Sequence, residues 1–251
     1  MTNSDFLRIA QEQIAVDMSC AASDFSSNEN IVVVSRADER ASAYLDLPLF
    51  CELISYGGNI VASVDGCIED FIRRHIASMT ASDVFGPRGC RALDSELRQY
   101  GYVVKWMAEY WLPDTERLRP LPCAYETRVL ERGEFEDLYQ PPWSNALSKK
   151  RPHLDTLAVG AYDGGEIIGL AGCSADSAEL RQIGIDVLPG YRRRGVASAL
   201  TSRIAVEIID RGQVPYYCCA WSNVGSAANA VKSGFRPAWV QLSACKAEAV
   251  W

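Results

Sequence analysis

Histidine is nearly missing from this 251-residue chain: only His75 and His153 occur, and neither stands near a cysteine or carboxylate at zinc-ligand spacing. No metal is expected. Cysteine is present in nine copies, but the number is odd and no C-x-x-C pair occurs, which removes a disulfide framework and the common thiol redox motif. Cys20, Cys51, Cys67, Cys90, Cys123, Cys173, Cys218, Cys219 and Cys245 are read as reduced thiols, mostly buried. No apolar run approaches the ~18 residues of a membrane span, and Asp5 and Arg8 interrupt the N-terminal region where a signal would start. The cytoplasm is the expected location. Positive charge is short as well: 25 Lys+Arg against 32 Asp+Glu leave a net charge of −7, which opposes sequence-independent binding to nucleic acid or an anionic membrane.

What the chain does contain is ordinary globular material, 48% apolar and 23% charged, enough for one large or two modest cores. Ser4 can cap a first helix whose Leu7, Ala10, Ile14 and Met18 share a face. Ile31 to Ser35 and Leu53 to Val64 read as strands, the second split at Gly57-Gly58; Cys67 to Met79 and Ala92 to Tyr100 read as helices, and Tyr102 to Trp111 as a strand. Pro113, Pro120 and Pro122 among charged residues suit a linker, which divides the chain into an N-terminal α+β domain, 1–118, and a second domain, 119–251.

Beyond the linker the pattern sharpens. Leu157 to Tyr162 and Glu166 to Cys173 form a hairpin around Asp163-Gly164-Gly165, and Leu180 to Val187 adds a third strand. Val196 to Arg211 is a helix with Val196, Leu200, Ile204 and Ile208 in line and Gly212 as its stop. Val214 to Ala220, a short helix capped by Ser222 or Asn223 and closed by Gly234, and a strand from Phe235 to Ser243 complete the domain.

The chemistry is concentrated in Ile183-Gly-Ile-Asp-Val-Leu-Pro-Gly-Tyr-Arg-Arg-Arg-Gly-Val-Ala-Ser198. A strand runs into a Pro-Gly turn, three arginines and a glycine that opens an amphipathic helix. Unpaired amides from Arg193 to Ser198, joined by the positive end of the helix dipole, suit an anion; Gly195, Ala197 and Ser198 are small enough for a diphosphate to reach the main chain. A plain solvated turn would use the same residues, so context decides. Gly190 and Gly195 have P-loop spacing, but Val196 replaces the lysine; no G-x-G-x-x-G occurs, and Gly172-Cys-Ser-Ala-Asp176 lacks the second glycine of a nucleophile elbow.

Strand, V-x-P, R-x-x-G-x-A, helix, strand, asparagine and a Gly-Phe pair together resemble the acetyl-CoA site of the GNAT N-acetyltransferase superfamily, across roughly Tyr125 to Trp239. The resemblance implies an α/β (α+β) acyl-CoA N-acyltransferase fold, a mixed, mostly antiparallel sheet flanked by helices. The N-terminal α+β domain would be a degenerate second copy or a substrate-shaping cap. It further implies that the V-x-P strand splays from its neighbour, leaving main-chain groups of Ile185, Asp186 and Val187 for the pantetheine arm and thioester carbonyl. The pyrophosphate would rest on Arg193, Arg194, Gly195, Val196, Ala197 and Ser198, in an R-x-x-G-x-A match that starts at the cofactor-binding Arg192, and Asn223 would contact the cofactor arm as well as cap its helix. Many relatives carry a tyrosine seven residues after that asparagine to protonate the departing thiolate; here the position is Ala230. Tyr216, Tyr217 or water could substitute. Asp186 is the nearest strand carboxylate for removing the amine's proton, or else a capping or structural acid, with Glu179 and Asp176 next.

The expected function is transfer of acetyl from acetyl-CoA, a co-substrate, to a primary amine of a small molecule or peptide. The missing tyrosine motivates a non-catalytic acyl-CoA-sensing module as an alternative, and tandem relatives motivate an aminoacyl-tRNA-dependent transferase, against which the net acidity counts. Similarity to uncharacterised two-domain bacterial members names no acceptor, and nothing in the sequence sets an oligomeric state.

Overall fold

The computed structural model describes residues 1–249. In chain order the main elements are α1 (Asn3–Asp17), β1 (Ile31–Val34), β2 (Cys51–Ser55), β3 (Val61–Val64), α2 (Glu69–Ile76), α3 (Ala81–Val84), α4 (Pro87–Leu97) and β4 (Tyr102–Pro113), then β5 (Glu126–Glu131), β6 (Asp155–Asp163), β7 (Glu166–Ser174), β8 (Leu180–Val187), α5 (Val196–Asp210), β9 (Val214–Ala220), α6 (Val224–Lys232) and β10 (Phe235–Lys246). The fold is mixed α/β, with mostly antiparallel strands flanked by helices.

Two compact units emerge. One comprises Met1–Ile9, Trp111–Cys219 and Asn223–Pro237; the other Ala10–Tyr110, Ala220–Ser222 and the residues from Ala238 onward. The chain passes from one to the other within α1 and β4, on either side of Ala220–Ser222, and again within β10. Residue 118, where composition suggests a boundary, lies inside the first unit.

In the first unit the strands lie in the order β9-β8-β7-β6-β5. The pairs β5–β6, β6–β7 and β7–β8 are antiparallel, while β8 and β9 are parallel, as they must be when α5 forms the crossover between them. Val196, Leu200, Ile204 and Ile208 recur at helical spacing and are at most 1% exposed, packing with Leu157, Val159, Ile168, Ala171, Ile183 and Tyr217. Their removal from water is the main favourable term for this half, roughly 1.5–3 kcal/mol for each large aliphatic. A smaller cluster on the other face joins Phe135, Trp143, Ala146, Leu147, Ala158 and Leu170.

In the second unit the order is β1-β3-β2-β10-β4. Ile72 and Ile76 of α2 and Leu93 and Leu97 of α4 close over Leu53, Ala62, Val64 and Leu242. Several boundaries differ from the sequence reading. Leu53 to Val64 does divide around Gly57-Gly58, into the antiparallel pair β2 and β3, with β2 starting earlier at Cys51; the helix expected over Cys67 to Met79 spans only Glu69–Ile76; and the next begins early, at Pro87, because proline at the first helical position costs no hydrogen bond. Strand β5 was not anticipated: Glu126-Thr-Arg-Val-Leu-Glu131 is a charged edge strand in which Arg128 pairs with Glu126 beside it, a composition that masks strand character.

Candidate functional site

The site is built where β8 ends. Parallel pairing of β8 with β9 covers Leu180↔Val214, Arg181↔Pro215, Gln182↔Tyr216 and Ile183↔Tyr217 and then stops, although β8 continues to Val187 and β9 beyond Tyr217. From Gly184 onward β8 keeps its antiparallel partner, with Gly184 opposite Gly172 and Val187 opposite Gly169. The edge facing β9 is therefore released from its ladder over the Gly184 to Val187 stretch, and exposed main-chain groups there need another partner.

Past the fork the chain turns through Pro189–Tyr191 and enters α5. Gly195, the N-cap, has φ of +83°, and Arg193 has φ of +60°. For an arginine that left-handed conformation costs about 1–2 kcal/mol, so two such residues within three mark a turn whose shape is held by its surroundings. Gly195 has no side chain to cap the helix. The amides of Val196, Ala197 and Ser198 thus open the helix without an intrahelical acceptor, at the positive end of its dipole.

A cavity of about 340 Å³ lies against this helix mouth. Its lining includes Val187 from β8, Arg192, Arg193 and Gly195 from the turn, Ala197 and Ser198 from α5, and Gly225, Ala228, Asn229 and Lys232 from α6. The two helices are tied by small polar groups: Asn229 Nδ2 donates to Thr201 Oγ1 at 3.0 Å and Ser233 Oγ to the Ser198 carbonyl at 3.4 Å. Side chains this short let α6 approach closely while its Gly225-Ala228 face leaves the space open.

The expected residues divide accordingly. Val187, Arg192, Arg193, Gly195, Ala197 and Ser198 line the cavity. Ile185 is partly buried against the α5 core and the Val196 side chain is buried in it, and neither is among the residues lining the cavity. Arg192 also donates through Nε to the Val187 carbonyl at 2.9 Å, fastening the turn to the strand end. Arg194 leaves the cavity lining: it donates to the Tyr125 hydroxyl at 3.1 Å and lies over the Tyr191 ring, whose hydroxyl donates to Asp163 at 3.0 Å. Asn223 caps α6, its Oδ1 accepting from the Ser226 amide at 3.1 Å. Lys232 and Asn229 were missed; spacings of three and four from Gly225 through Ala228 and Asn229 to Lys232 on one helical face were the available signal.

Asp186 is fully engaged. Its Oδ2 accepts from the amides of Asn145 at 2.8 Å and Ala146 at 3.0 Å, and its Oδ1 from Asn145 Nδ2 at 2.7 Å. Asp176, 5% exposed, pairs with Arg151 in the β7–β8 connection, and Glu179 stands exposed in the same connection. Both precede the paired half of β8, at least ~13 Å along the strand from the fork at 3.3 Å per residue.

Of the hydroxyls considered for the missing tyrosine, Tyr216 donates to Gln182 Oε1 at 3.2 Å. Tyr217 belongs to the core on the α5 side, with its hydroxyl 2.7 Å from Ser226 Oγ on the first turn of α6. Burial pushes the Tyr217 phenol up, so it holds its proton at neutral pH. Ala230 is completely buried in the same core. Among the described residues no three His, Cys, Asp or Glu side chains gather as a metal site, and no helix is long and apolar enough to cross a membrane.

The family model for the Acetyltransferase (GNAT) family matches residues 116–235. No curated protein sequence matches the chain. Among solved structures, an acetyltransferase from the GNAT family of Colwellia psychrerythraea is similar at 14% identity and a TM-score of 0.46, over 57% of this chain and 57% of its own. A GCN5-related N-acetyltransferase from Kribbella flavida has 16% identity and a TM-score of 0.45, over 61% and 63%. An aminoglycoside N-acetyltransferase in complex with CoA has 22% identity and a TM-score of 0.36, over 44% of this chain and 91% of its own. The chain thus spans about three fifths of the length of the two bacterial structures.

Proposed function

Residues 116–235 belong to the GNAT acetyltransferase family, and on that premise we propose that this protein transfers the acetyl group of acetyl-CoA to a primary amine of a small molecule or peptide. The observation that carries the reading is the junction of a forked parallel strand pair with a cavity at a helix mouth whose N-cap has no side chain.

In this reading the amides of Val196, Ala197 and Ser198 hold the diphosphate, with Arg192, Arg193 and Lys232 supplying positive charge around the cavity. Small residues on the lining, Gly195, Ala197, Gly225 and Ala228, let phosphate oxygens come to hydrogen-bond distance of the backbone. The freed edge of β8 at Ile185 and Val187 takes the pantetheine arm, and an amide there polarises the thioester carbonyl, a contribution that grows as negative charge develops on that oxygen. Catalysis then rests on orientation and on this donor. The Ser226 hydroxyl, backed by Tyr217, delivers the proton that the departing thiolate requires, in place of the side chain that Ala230 lacks.

Titration calorimetry with CoA on the purified protein tests the premise: an absence of binding would end it. The transfer itself is tested by CoA release from acetyl-CoA across polyamines, aminoglycosides, amino acids and peptides. A second reading, binding without transfer, draws on the burial of Ala230 in the core. It requires a measurable CoA affinity with no acceptor-dependent turnover anywhere on that panel.

A further inference from the structure

Asp186 faces a segment that no part of the donor site uses. Along β8, Ile183 and Ile185 pack toward α5, while Gln182, Gly184 and Asp186 alternate to the opposite face. On that face lies the turn from Trp143 to Leu147, closed by the Leu147 amide donating to the Trp143 carbonyl at 3.0 Å. Trp143, Ala146 and Leu147 are at most 4% exposed and pack on Ala158 and Leu170. We call this turn the strap.

The strap lies directly on the backbone of two neighbouring strands. A Cβ at Gly184 would fall far inside van der Waals contact distance of the Asn145 carbonyl oxygen, and one at Gly172, its cross-strand partner, far inside that of Ala146. Neither glycine has a positive φ. Close approach, not backbone conformation, is what these two positions require. Two carboxylates fasten the strap: Asp186 takes three hydrogen bonds from Asn145 and Ala146 in its middle, and the buried Asp155 accepts from the amide of Ser148, the residue that follows it, at 2.8 Å. Gly184 and Asp186 belong to the half of β8 that has left β9. The strap therefore covers, from one face, the released stretch of β8 that leads to Val187, the strand residue lining the donor cavity.

We infer that Asp186 is a positioning residue for the acceptor side: it holds the strap over the forked end of β8, and the strap forms the wall that admits an amine to the thioester and keeps water from it. The inference rests on the acyl-transfer reading of the site, but it gives Asp186 a role different from proton removal. A carboxylate whose two oxygens already accept three hydrogen bonds is well suited to hold a loop. Gly184 serves the same end by leaving room for the Asn145 carbonyl.

The test uses the full chain and three variants, Gly184→Ala, Asp186→Ala and Asp186→Asn. Gly184→Ala displaces the strap sterically without touching the carboxylate, whereas the Asp186 variants remove its anchor. Hydrogen exchange over residues 143–148 reports the strap. Calorimetry with CoA reports the donor site. Incubation with acetyl-CoA and no acceptor reports water access: the water oxygen bonds to the carbonyl carbon, the C–S bond breaks, and the thiolate takes a proton to leave CoA and acetate. CoA is quantified by chromatography, since the chain's own cysteines react with thiol reagents.

Expected results are faster exchange at 143–148, a CoA affinity within twofold of the parent, and acceptor-free hydrolysis raised at least threefold in both Gly184→Ala and Asp186→Ala. Asp186→Asn, which retains an acceptor oxygen, falls between, and it carries the test if the harsher variants do not fold. Faster exchange with unchanged hydrolysis would overturn the inference, leaving a purely structural strap. A CoA affinity that falls in step with exchange would overturn it too, by moving Asp186 to the donor side. If the parent protein fails to bind CoA, the acyl-transfer reading is lost first and this inference with it.

Discussion

Each unit contains a parallel strand pair among its described residues, and these two pairs are treated oppositely. In the second unit β1 and β3 stay in register through all four residues, Ile31–Val34 against Val61–Val64; in the first, β8 and β9 part after Ile183 and Tyr217. The cavities differ in the same sense. A cavity of about 530 Å³ in the second unit exceeds the one at the helix mouth, but Asn30, Asn59 and Arg73 of its lining are committed to their own chain. Asn30 donates to the Ile76 and Met79 carbonyls and accepts from the Ile60 amide, Asn59 donates to Asp24 and Glu29, and Arg73 pairs with Glu69 and donates to the Val32 carbonyl. The first unit's smaller cavity meets a helix mouth that Gly195 leaves without a side-chain cap. Unpaired backbone, more than volume, distinguishes a binding site from a dent in the surface.

The most damaging way to break that contrast is to fill the helix mouth. Gly195→Glu puts a carboxylate where the proposed site would receive phosphates, and it also places a side chain at a φ that only glycine adopts freely. CoA affinity should fall at least ~100-fold, about 2.7 kcal/mol or more, while circular dichroism shows the helices retained. An affinity within a few-fold of the parent would mean that the diphosphate lies elsewhere.

The second unit offers the converse experiment, because its buried polar groups serve the fold. Glu52 on β2 is 5% exposed and accepts from Gln241 Nε2 at 2.6 Å and Ser243 Oγ at 2.5 Å on β10; burial raises its carboxyl to about 8. Folded Glu52 therefore keeps its proton through a pH range in which the unfolded chain has released it. Its contribution to stability is fully present below pH ~4.5 and is lost as pH rises toward 8, a cost on the order of a few kcal/mol at the upper end. Glu52→Gln abolishes that titration. The melting temperature of the variant relative to the parent should rise by several degrees between pH 5 and pH 8, with CoA affinity within twofold throughout. A difference that stays flat with pH would show that Glu52 is already ionised in the folded protein.

The contrast between the units was only half legible in the sequence. Hydrophobic periodicity placed α5 and strands β6 to β9 nearly at their observed bounds, since Val196, Leu200, Ile204 and Ile208 must share one face whatever surrounds them. The Pro-Gly turn and Gly195 located the helix mouth, because glycine before an amphipathic helix is a local backbone signal. Lys232 was invisible in the same reading: only the approach of α6 to α5, through Asn229 and Ser233, brings it to the cavity. So was the strap, since residues 143–147 carry no periodicity of their own and gain their place from two glycines more than 20 positions away. Glu52 was hidden for a related reason. Its partners lie some 190 residues along the chain, and no local pattern announces a contact that depends on strand order.

Smaller effects sharpen the comparison within the first unit. Tyr217 stands at the last paired position of the fork, and its hydroxyl meets Ser226. Tyr217→Phe deletes one oxygen and little volume. If this pair supplies the leaving-group proton, turnover should fall about tenfold at unchanged CoA affinity, in the range of a single general-acid contribution reduced by solvent. Normal turnover would leave water as the proton source.

Lys232 should contribute least, and its contribution has a signature of its own. It is an exposed cation in the last turn of α6, so its attraction to a bound phosphate acts partly through solvent and weakens as salt shortens the screening length from about 10 Å at 0.1 M toward about 4 Å at 0.5 M. The amides of α5 meet the ligand directly and lose less. Lys232→Gln should therefore weaken CoA binding about fivefold at low ionic strength and hardly at all near 0.5 M, measured by calorimetry at both. A salt-independent loss would identify Lys232 as a direct hydrogen-bond donor and place phosphate deeper along α6 than the helix mouth alone would hold it. No loss at either salt would leave the arginines and the α5 backbone as the whole of the anion site, narrowing the difference between the units to the fork and the turn that follows it.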